Sequence, residues 1–263
     1  MSRRPSFPAS IDFQSGKPIA VKTSAVVAGR AGTTGHRREH EMSSGLGLDS
    51  SAVRERMVRK LAADGITDPR VLDAMNTVHR DGFVDTALVN QSYEDTSLPI
   101  GLGQTISKPS VVARMVELLL GGQRPATGKL GRVLEIGTGC GYQAAVLSRI
   151  ATEVYSIERL RGLHDRARIC LRPLQLANLH LLFGDGMAGY AKGAPYAGII
   201  AAAGGDAVPQ AWIDQLAVGG RIVAPTKMAD GKQALVVLEK TFGELKRSVL
   251  EAVHFVPLKS GLG

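Results

Sequence analysis

The sequence predicts an α/β fold with a doubly wound, mostly parallel Rossmann-like sheet, an N-terminal helical lobe and an antiparallel edge. Three observations support this prediction. Short apolar runs alternate with helical patterns between residues 130 and 225, as they do where crossover helices join parallel strands. A glycine-rich turn, "EIGTGCG", separates the first of these runs from a helical pattern. Two later apolar runs have no long helix between them, so we expect them to pair antiparallel.

The composition is that of a globular protein. With 263 residues, 44% hydrophobic and 21% charged, the chain can bury one core together with a small lobe. It has no uncharged apolar run of about 18 residues, the length that a membrane span needs. Cys140 and Cys170 lack the spacing of a metal site. They therefore predict reduced thiols in a cytoplasmic protein without a bound metal.

The net charge of +8 raises the question of an acidic partner. The lysines and arginines are scattered along the chain. They are not interleaved with aromatic residues, as they are in a surface on which nucleic-acid bases stack. We interpret the charge as solvated surface charge and expect neither a nucleic-acid nor a membrane partner.

The first 48 residues are predicted to be a disordered N-terminal extension. They are rich in Ser, Gly, Ala, Thr and Arg and show no sustained period, which is typical of chain that cannot form a core. Their apolar piece, "IAVKTSAVVAG", is interrupted by polar residues and does not resemble a secretory signal. Met42 offers an alternative start of the protein.

Residues 49–120 are predicted to form the helical lobe. A first helix has one apolar face, Val53, Met57 and Leu61, at the spacing of successive helical turns. Asp68 followed by Pro69 predicts the start of a second helix, since Asp caps the free N–H groups and Pro suits the first turn. In "GQTISKP", Ser107 is predicted to cap a third helix that begins around Pro109. This helix carries the apolar residues Val111, Val112, Met115, Val116 and Leu119.

Residues 121–263 are predicted to form a cofactor-binding domain that begins in a glycine-rich link, Gly121 to Gly131. The apolar runs that alternate with helical patterns predict parallel strands: "RVLEI", "EVYSIE", "LHLLF", "AGIIAAA" and "GRIVAP". The two runs expected to form the antiparallel edge are "ALVVLE" and "AVHFVPL".

The turn after the first strand is a candidate ligand site. Gly137, Gly139 and Gly141 allow the backbone to approach a ligand at a helix N-terminus, where N–H groups favour acceptor or anionic atoms. Such a turn serves a dinucleotide, a nucleoside or only a tight connection between strand and helix.

Three carboxylates narrow the choice. Glu158 ends the second strand, where a carboxylate can accept both ribose hydroxyls. Asp185 follows the third strand, where it can accept from an adenine amino group, and Glu135 precedes the glycines. These negative charges would repel a pyrophosphate but suit a sulfonium cation, so we predict S-adenosyl-L-methionine. The alternatives are an ion pair of Glu158 with a neighbouring arginine and a turn capped by Asp185.

Several motifs together resemble the protein-L-isoaspartate O-methyltransferase family, from about Met57 to Leu258. They are "LPIGLGQTISKP", "VLEIGTGCGYQAA", "VYSIER", "FGDG", "PQAWIDQLAVGGRIVAP" and "FVPL". The glycine motif is shared by many methyltransferases, whereas "GQTIS" with Pro109 is specific to this family. The resemblance implies a class I S-adenosylmethionine-dependent methyltransferase sheet with an added helical part. Some positions depart from the family pattern, including His79-Arg80-Asp81, Ala197 and Ala224 to Lys227.

The resemblance also implies the reaction and its site. The methyl acceptor would be the free α-carboxylate of an isoaspartyl residue in a damaged protein or peptide, acted on by a monomeric enzyme. Because this carboxylate is ionised at neutral pH, no general base is required. We therefore interpret His79, His164, His180 and His254 as surface or packing residues. The hydroxyl of Ser107 is the candidate catalytic group, since it can donate to the incoming carboxylate. The cofactor site is assigned to Thr105, Ile106, Glu135, Gly137, Thr138, Gly139, Gly141, Glu158, Asp185 and Gly186.

Two other classes of function remain open at this point. A methyltransferase acting on a small molecule or RNA would share the sheet, although the Asn-Pro-Pro-Tyr type of motif that serves amino-group acceptors is absent. A non-catalytic protein that binds an adenosyl group or nucleic acid would keep the basic charge without turnover.

Overall fold

The computed structural model describes residues 50–121 and 128–263. The predicted disordered extension and Met42 lie outside the described residues, as does most of the predicted glycine-rich link. The helices are α1 (Ser50–Ala63), α2 (Pro69–Thr77), α3 (Pro109–Leu120), α4 (Tyr142–Ile150), α5 (Arg161–Leu171) and α6 (Gln210–Gln215). Short 3-10 helices cover Arg80–Phe83, Thr86–Gln91, Arg172–Leu174, Gly186–Ala188 and Ala191–Gly193.

The strands form two sheets. A small antiparallel pair consists of β1 (Leu98–Gly101) and β2 (Gln104–Ile106). The main sheet contains β3 (Leu130–Ile136), β4 (Ala151–Glu158), β5 (Leu179–Phe183), β6 (Tyr196–Ala201), β7 (Leu216–Lys227), β8 (Gln233–Lys240) and β9 (Leu245–Val253).

The main sheet is parallel over five strands and antiparallel at one edge. Its order is β5-β4-β3-β6-β7-β8-β9. The pairs from β5 to β7 are parallel, whereas β7–β8 and β8–β9 are antiparallel. This confirms the predicted fold class. The connections from β3 lead to β4 and β5 on one side and then return to β6 on the other, so the order reverses between β3 and β6. Ligands of doubly wound sheets bind at the carboxyl edge near such a reversal.

Both faces of the sheet are buried. Alternate residues of one strand pack on opposite faces: Val133 joins the core shared with α1 to α5, and Leu134 joins the core around Trp212 of α6. Ile200 and Ile199 of β6 divide in the same way. The strands that read as nearly continuous apolar runs are therefore explained by a sheet covered on two sides.

The lobe forms two of its helices as local signals predict. In α1, Met57 and Leu61 are buried. Asp68 caps α2 by accepting from the Arg70 N–H at 2.9 Å, with Pro69 in the first turn. The division of the chain into domains at residues 48 and 120 stays a prediction.

The predicted cap of α3 is wrong. The N-cap residue is Lys108, which makes no side-chain cap bond, and Ser107 lies one residue too early. The carboxylate of Asp95 takes this role, accepting from the Ser110 N–H at 2.8 Å and its hydroxyl at 2.9 Å. Because this cap comes from fifteen residues upstream, a local pattern could not reveal it.

The last predicted strand is displaced. β9 covers Leu245–Val253, so "AVHFVPL" contributes only its first two residues to the antiparallel edge. Gln233 turns the chain at Phe255, donating to its carbonyl at 3.1 Å and accepting from its N–H at 2.7 Å. Residues 256–258 then run beside Gly204, after β6. β9 is an exposed edge strand, and its polar sequence gave no apolar signal.

None of the helices within residues 50–121 and 128–263 has the length and apolar character needed to cross a bilayer.

Candidate active site

A cavity of about 260 Å³ opens at the carboxyl edge of the main sheet. Eight of the predicted site residues line it: Thr105, Ile106, Ser107, Gly137, Thr138, Gly139, Glu158 and Gly186. Glu135, Gly141 and Asp185 are not in its lining. Because β3, β4 and β5 are adjacent and parallel, their carboxyl ends bring the glycine turn, Glu158 and the segment after β5 to one edge.

The glycine turn connects β3 to α4 and is tied to β4. The N–H groups of Gly137 and Thr138 donate to the Ile157 carbonyl at 2.9 and 3.2 Å. Gly141 is the N-cap residue of α4 with φ of 94°, and a Cβ there would lie 2.6 Å from Leu171. A side chain is excluded at this position by both backbone conformation and space. Gly141 therefore serves the turn from outside the cavity.

Glu158 is held by the backbone around the cavity. Its side chain is only 4% exposed, and it accepts from the N–H groups of Gly139 and Leu160, both at 2.9 Å. The neighbouring Arg159 instead donates to the Gly261 carbonyl at 2.8 Å, and Arg161 lies over the Phe183 ring. A carboxylate has about four acceptor positions, so two remain for ligand hydroxyls.

Glu135 lies behind the glycine turn and is completely buried. The Ser156 hydroxyl donates to its carboxylate, and Ser156 in turn is 2.6 Å from the Thr138 hydroxyl. Burial raises the pKa of Glu135 to about 8, against the opposite effect of the Ser156 hydrogen bond. Its Oε1 and the Nε2 of the cavity-lining Gln143 have no hydrogen-bond partner within the described residues.

Asp185 forms two hydrogen bonds beside the cavity. Its Oδ1 accepts from the Met187 N–H at 2.8 Å, which caps the short helix Gly186–Ala188. Its Oδ2 accepts from the Gly261 N–H at 2.6 Å. The alternative interpretation of Asp185 as the cap of a turn is therefore present in the structure. Gly186 itself packs against Ile136, where a Cβ would lie at 2.5 Å.

The β1–β2 hairpin covers the cavity from the lobe. Ile100, Leu102 and the stretch from Gln104 to Ser107 line it. The hairpin is pinned to α5 because Arg166 donates to the Ile100 carbonyl at 3.0 Å. The hydroxyl of Ser107 has no hydrogen-bond partner in the described part of the chain, so it is available to a ligand.

Ser107 also lines a second cavity, between α1, α3 and β9. The sides of this cavity are apolar at Leu61, Ile66 and Val111, and charged at Lys108 and Arg114. The wall that contains Ser107 therefore faces the first cavity on one side and the second cavity on the other.

Sequence reasoning missed the C-terminal wall of the site. Val256, Pro257, Leu258 and Lys259 line the first cavity, although "FVPL" had been interpreted as part of a strand. Trp212 was also missed: its indole N–H donates to the Gly186 carbonyl at 2.8 Å and so fixes the segment after β5. Its position within "PQAWIDQLAVGGRIVAP", one of the motifs that carry the family resemblance, was the available signal.

The lining of the cavity limits the chemistry that its own side chains can perform. Among the described residues, its lining contains no histidine. Its one cysteine, Cys140, is kept as a thiol because burial raises the pKa to about 11. Such a site can hold and orient ligands, with hydroxyl groups and the side-chain amide of Gln143 as donors and Glu158 as acceptor.

Comparison with known proteins gives consistent matches. Residues 52–263 match the family model described as Protein-L-isoaspartate(D-aspartate) O-methyltransferase. The chain is 64% identical to the protein-L-isoaspartate O-methyltransferase of Methylibium petroleiphilum, over 83% of this chain and 81% of that protein. It is 60% identical to the protein of the same name from Leptothrix cholodnii, over 83% of this chain and 77% of that protein.

Two solved structures resemble the fold. One is named protein-L-isoaspartate O-methyltransferase and is 29% identical, with a TM-score of 0.70 over 80% of this chain and 67% of that chain. The other, a putative protein-L-isoaspartate O-methyltransferase from Plasmodium falciparum, is in complex with S-adenosyl-L-homocysteine. It is 22% identical, with a TM-score of 0.68 over 78% of this chain and 98% of that chain, and its likeness concerns the fold alone.

Proposed function

Because the chain belongs to the protein-L-isoaspartate(D-aspartate) O-methyltransferase family, we propose that the cavity at the carboxyl edge of its sheet is where a protein carboxylate is methylated. The enzyme transfers a methyl group from S-adenosyl-L-methionine to the free α-carboxylate of L-isoaspartyl residues in damaged proteins and peptides. This transfer initiates their repair or degradation. A small molecule or RNA as the acceptor is not favoured.

The residues of the first cavity fit S-adenosylmethionine. Glu158 retains free acceptor positions for ribose hydroxyls, and the glycine turn allows close approach of the backbone. Gln143 lines the cavity, and its Nε2, which has no hydrogen-bond partner within the described residues, can donate to a polar ligand atom. When bound, the cofactor supplies a methyl group on a positively charged sulfur, a charge that the carboxylate of Glu158 suits.

Ser107 is proposed to orient the acceptor. Ser107 lies at the wall shared by both cavities. An acceptor peptide in the second cavity can therefore present its carboxylate to the first cavity at this wall. The carboxylate is ionised at neutral pH and needs no base. The buried apolar side chains of Ile100 and Ile106 line the same wall and can displace water from a bound acceptor. Fixing the direction of approach and removing water are the two contributions that lower the barrier.

The proposal also covers the oligomeric state, the compartment and the partners of the enzyme. We propose a monomer in the cytoplasm that binds isoaspartyl proteins and peptides without nucleic acid or membrane. The proposal is supported by the scattered basic residues. It is also supported by the thiols of Cys140 and Cys170, both of which are free.

The observation that carries the proposed function is the meeting of Ser107, Glu158 and the glycine turn at one cavity. The test uses labelled S-adenosylmethionine with three acceptors: an isoaspartyl peptide, the same peptide with normal aspartate, and RNA. We expect label to enter the isoaspartyl peptide and be lost on mild alkaline treatment, as a methyl ester is. Equal labelling of the aspartyl peptide, or labelling of RNA alone, would contradict the proposal.

A further inference from the structure

The segment that contains Ser107 is contacted by residues that line neither of the two cavities. Ser107 lies between the end of β2 and the start of α3, and the cap residue Lys108 makes no side-chain cap bond. The first N–H groups of a helix need partners. The group that accepts from the first N–H groups of α3 therefore also restrains the residues that precede this helix.

Asp95 supplies that partner from the preceding loop. Its two carboxylate oxygens accept from the N–H and the hydroxyl of Ser110, at 2.8 and 2.9 Å. The Lys108 ammonium lies 3.8 Å from the same carboxylate. One side chain thus contacts two residues that lie within three positions of Ser107.

The loop that carries Asp95 is itself fixed to the cofactor side of the molecule. Arg80 is completely buried, and it donates to the carbonyls of Ser92 and Thr96 at 2.7 and 3.4 Å. Its guanidinium lies 4.9 Å from the centre of the Tyr142 ring, and Tyr142 is the first residue of α4. Arg80 therefore connects the start of α4, which follows the glycine turn, to the loop whose Asp95 contacts Ser110.

We propose that Asp95 is a positioning residue for methyl transfer, which holds the start of α3 so that Ser107 faces the cofactor cavity. This inference rests on the proposed role of Ser107. Reaction rates are sensitive to small displacements, and a misplacement of about 1 Å can cost about 100-fold. Asp95 should thus affect the use of the acceptor peptide while leaving cofactor binding unchanged.

The test compares Asp95→Ala and Asp95→Asn with a matched control. Asp85→Ala is the control because Asp85 also caps a helix in the lobe, Thr86–Gln91, through the Ala87 N–H at 3.1 Å. We expect Asp95→Ala to lower kcat/KM for the isoaspartyl peptide about 10-fold, with calorimetric affinity for S-adenosylmethionine within about 2-fold of wild type. Asp95→Asn should recover most of the rate, since an amide oxygen still accepts from the Ser110 N–H. Asp85→Ala should lower the denaturant midpoint with no change in kcat/KM.

Two results would overturn the inference. One is a folded Asp95→Ala protein with the kcat/KM of wild type, and the other is an equal loss of peptide turnover and cofactor affinity. Ser110→Ala gives a second measurement, since it removes one of the two bonds and should produce a smaller loss of kcat/KM. Failure of the wild-type protein to methylate the isoaspartyl peptide would count instead against the proposed function.

Discussion

The carboxylate of Asp185 accepts a hydrogen bond from the backbone N–H of Gly261, 2.6 Å away and 76 residues later in the chain. The same C-terminal segment pairs with the residues after β4: the Gly263 N–H donates to the Arg159 carbonyl at 3.0 Å. Asp185 thus anchors this segment beside the cavity, whereas the sequence predicts that it accepts from an adenine amino group. The anchoring role and the cofactor-binding role predict different affinities for S-adenosylmethionine when the residues after Lys259 are removed.

The first prediction separates the two roles of Asp185. If Asp185 contacts the cofactor, Asp185→Ala should weaken S-adenosylmethionine binding by about 1 kcal/mol or more, both in the full chain and in a chain that ends at Lys259. Calorimetric titration of the four proteins completes a double-mutant cycle. If the shortened chain binds equally well with Asp or Ala at this position, Asp185 acts only through Gly261.

The second prediction concerns Glu158. Since its carboxylate accepts from Gly139 and Leu160 while lining the cavity, Glu158→Ala should lower both cofactor affinity and stability. Lost bonds to a charged group are worth about 1.5–3 kcal/mol each. Calorimetry and urea unfolding measure the two effects.

Glu153→Ala is a suitable comparison for Glu158→Ala, because Glu153 lies on the same strand but at its other end, in an exposed ion pair with Arg132. Its loss should change stability little and cofactor affinity not at all. Cofactor affinity that is normal in Glu158→Ala would remove this residue from the site.

Parts of the fold and of the candidate site could be predicted from the sequence because they depend on local contacts or on the order of the strands. The cap of α2 by Asp68 and the glycine turn are local, because all the interacting atoms lie within a few residues of one another. The convergence of Glu158 with the turn follows from parallel strands, whose carboxyl ends meet at one edge. Such features need only the order of the elements.

Contacts between distant segments were not predictable in this way. Asp95 caps α3 across a loop, and Gly261 reaches Asp185 from the far end of the chain. The polar strand β9 forms because β8 offers it a free edge, and the apolar run that follows is turned into the cavity by Gln233. In each case the partner is chosen by the folded arrangement, on which the local pattern carries no information.

The third prediction concerns the pH dependence of stability. Burial raises the pKa of Glu135 from its usual value of 4.5 to about 8, so the folded protein retains a proton that the unfolded chain has lost. Between these values the folded state binds more protons at this group, so the contribution of Glu135 to the free energy of unfolding falls as pH rises. The slope from this group is at most about 1.4 kcal/mol per pH unit.

Glu135→Gln should remove this contribution, since an amide resembles the protonated acid in shape and charge. Urea unfolding from about pH 5 to pH 8 should therefore show a shallower decline in the mutant than in wild type. Parallel curves for the two proteins would mean that Glu135 does not retain its proton in the folded state.

The last prediction concerns Ser107 and is sharpened by the correction of its capping role. Because α3 is capped by Asp95, Ser107→Ala should leave the denaturant midpoint close to that of wild type. If the hydroxyl orients the isoaspartyl carboxylate, its loss removes a hydrogen bond to a charged group worth about 1.5–3 kcal/mol. Single-turnover methylation should then slow roughly 10- to 150-fold, with the affinity for S-adenosylmethionine nearly unchanged. Ser248→Ala, which removes an exposed hydroxyl on β9 outside both cavities, should keep the wild-type rate. A Ser107→Ala protein that methylates as fast as wild type would refute the role of this hydroxyl in orienting the acceptor.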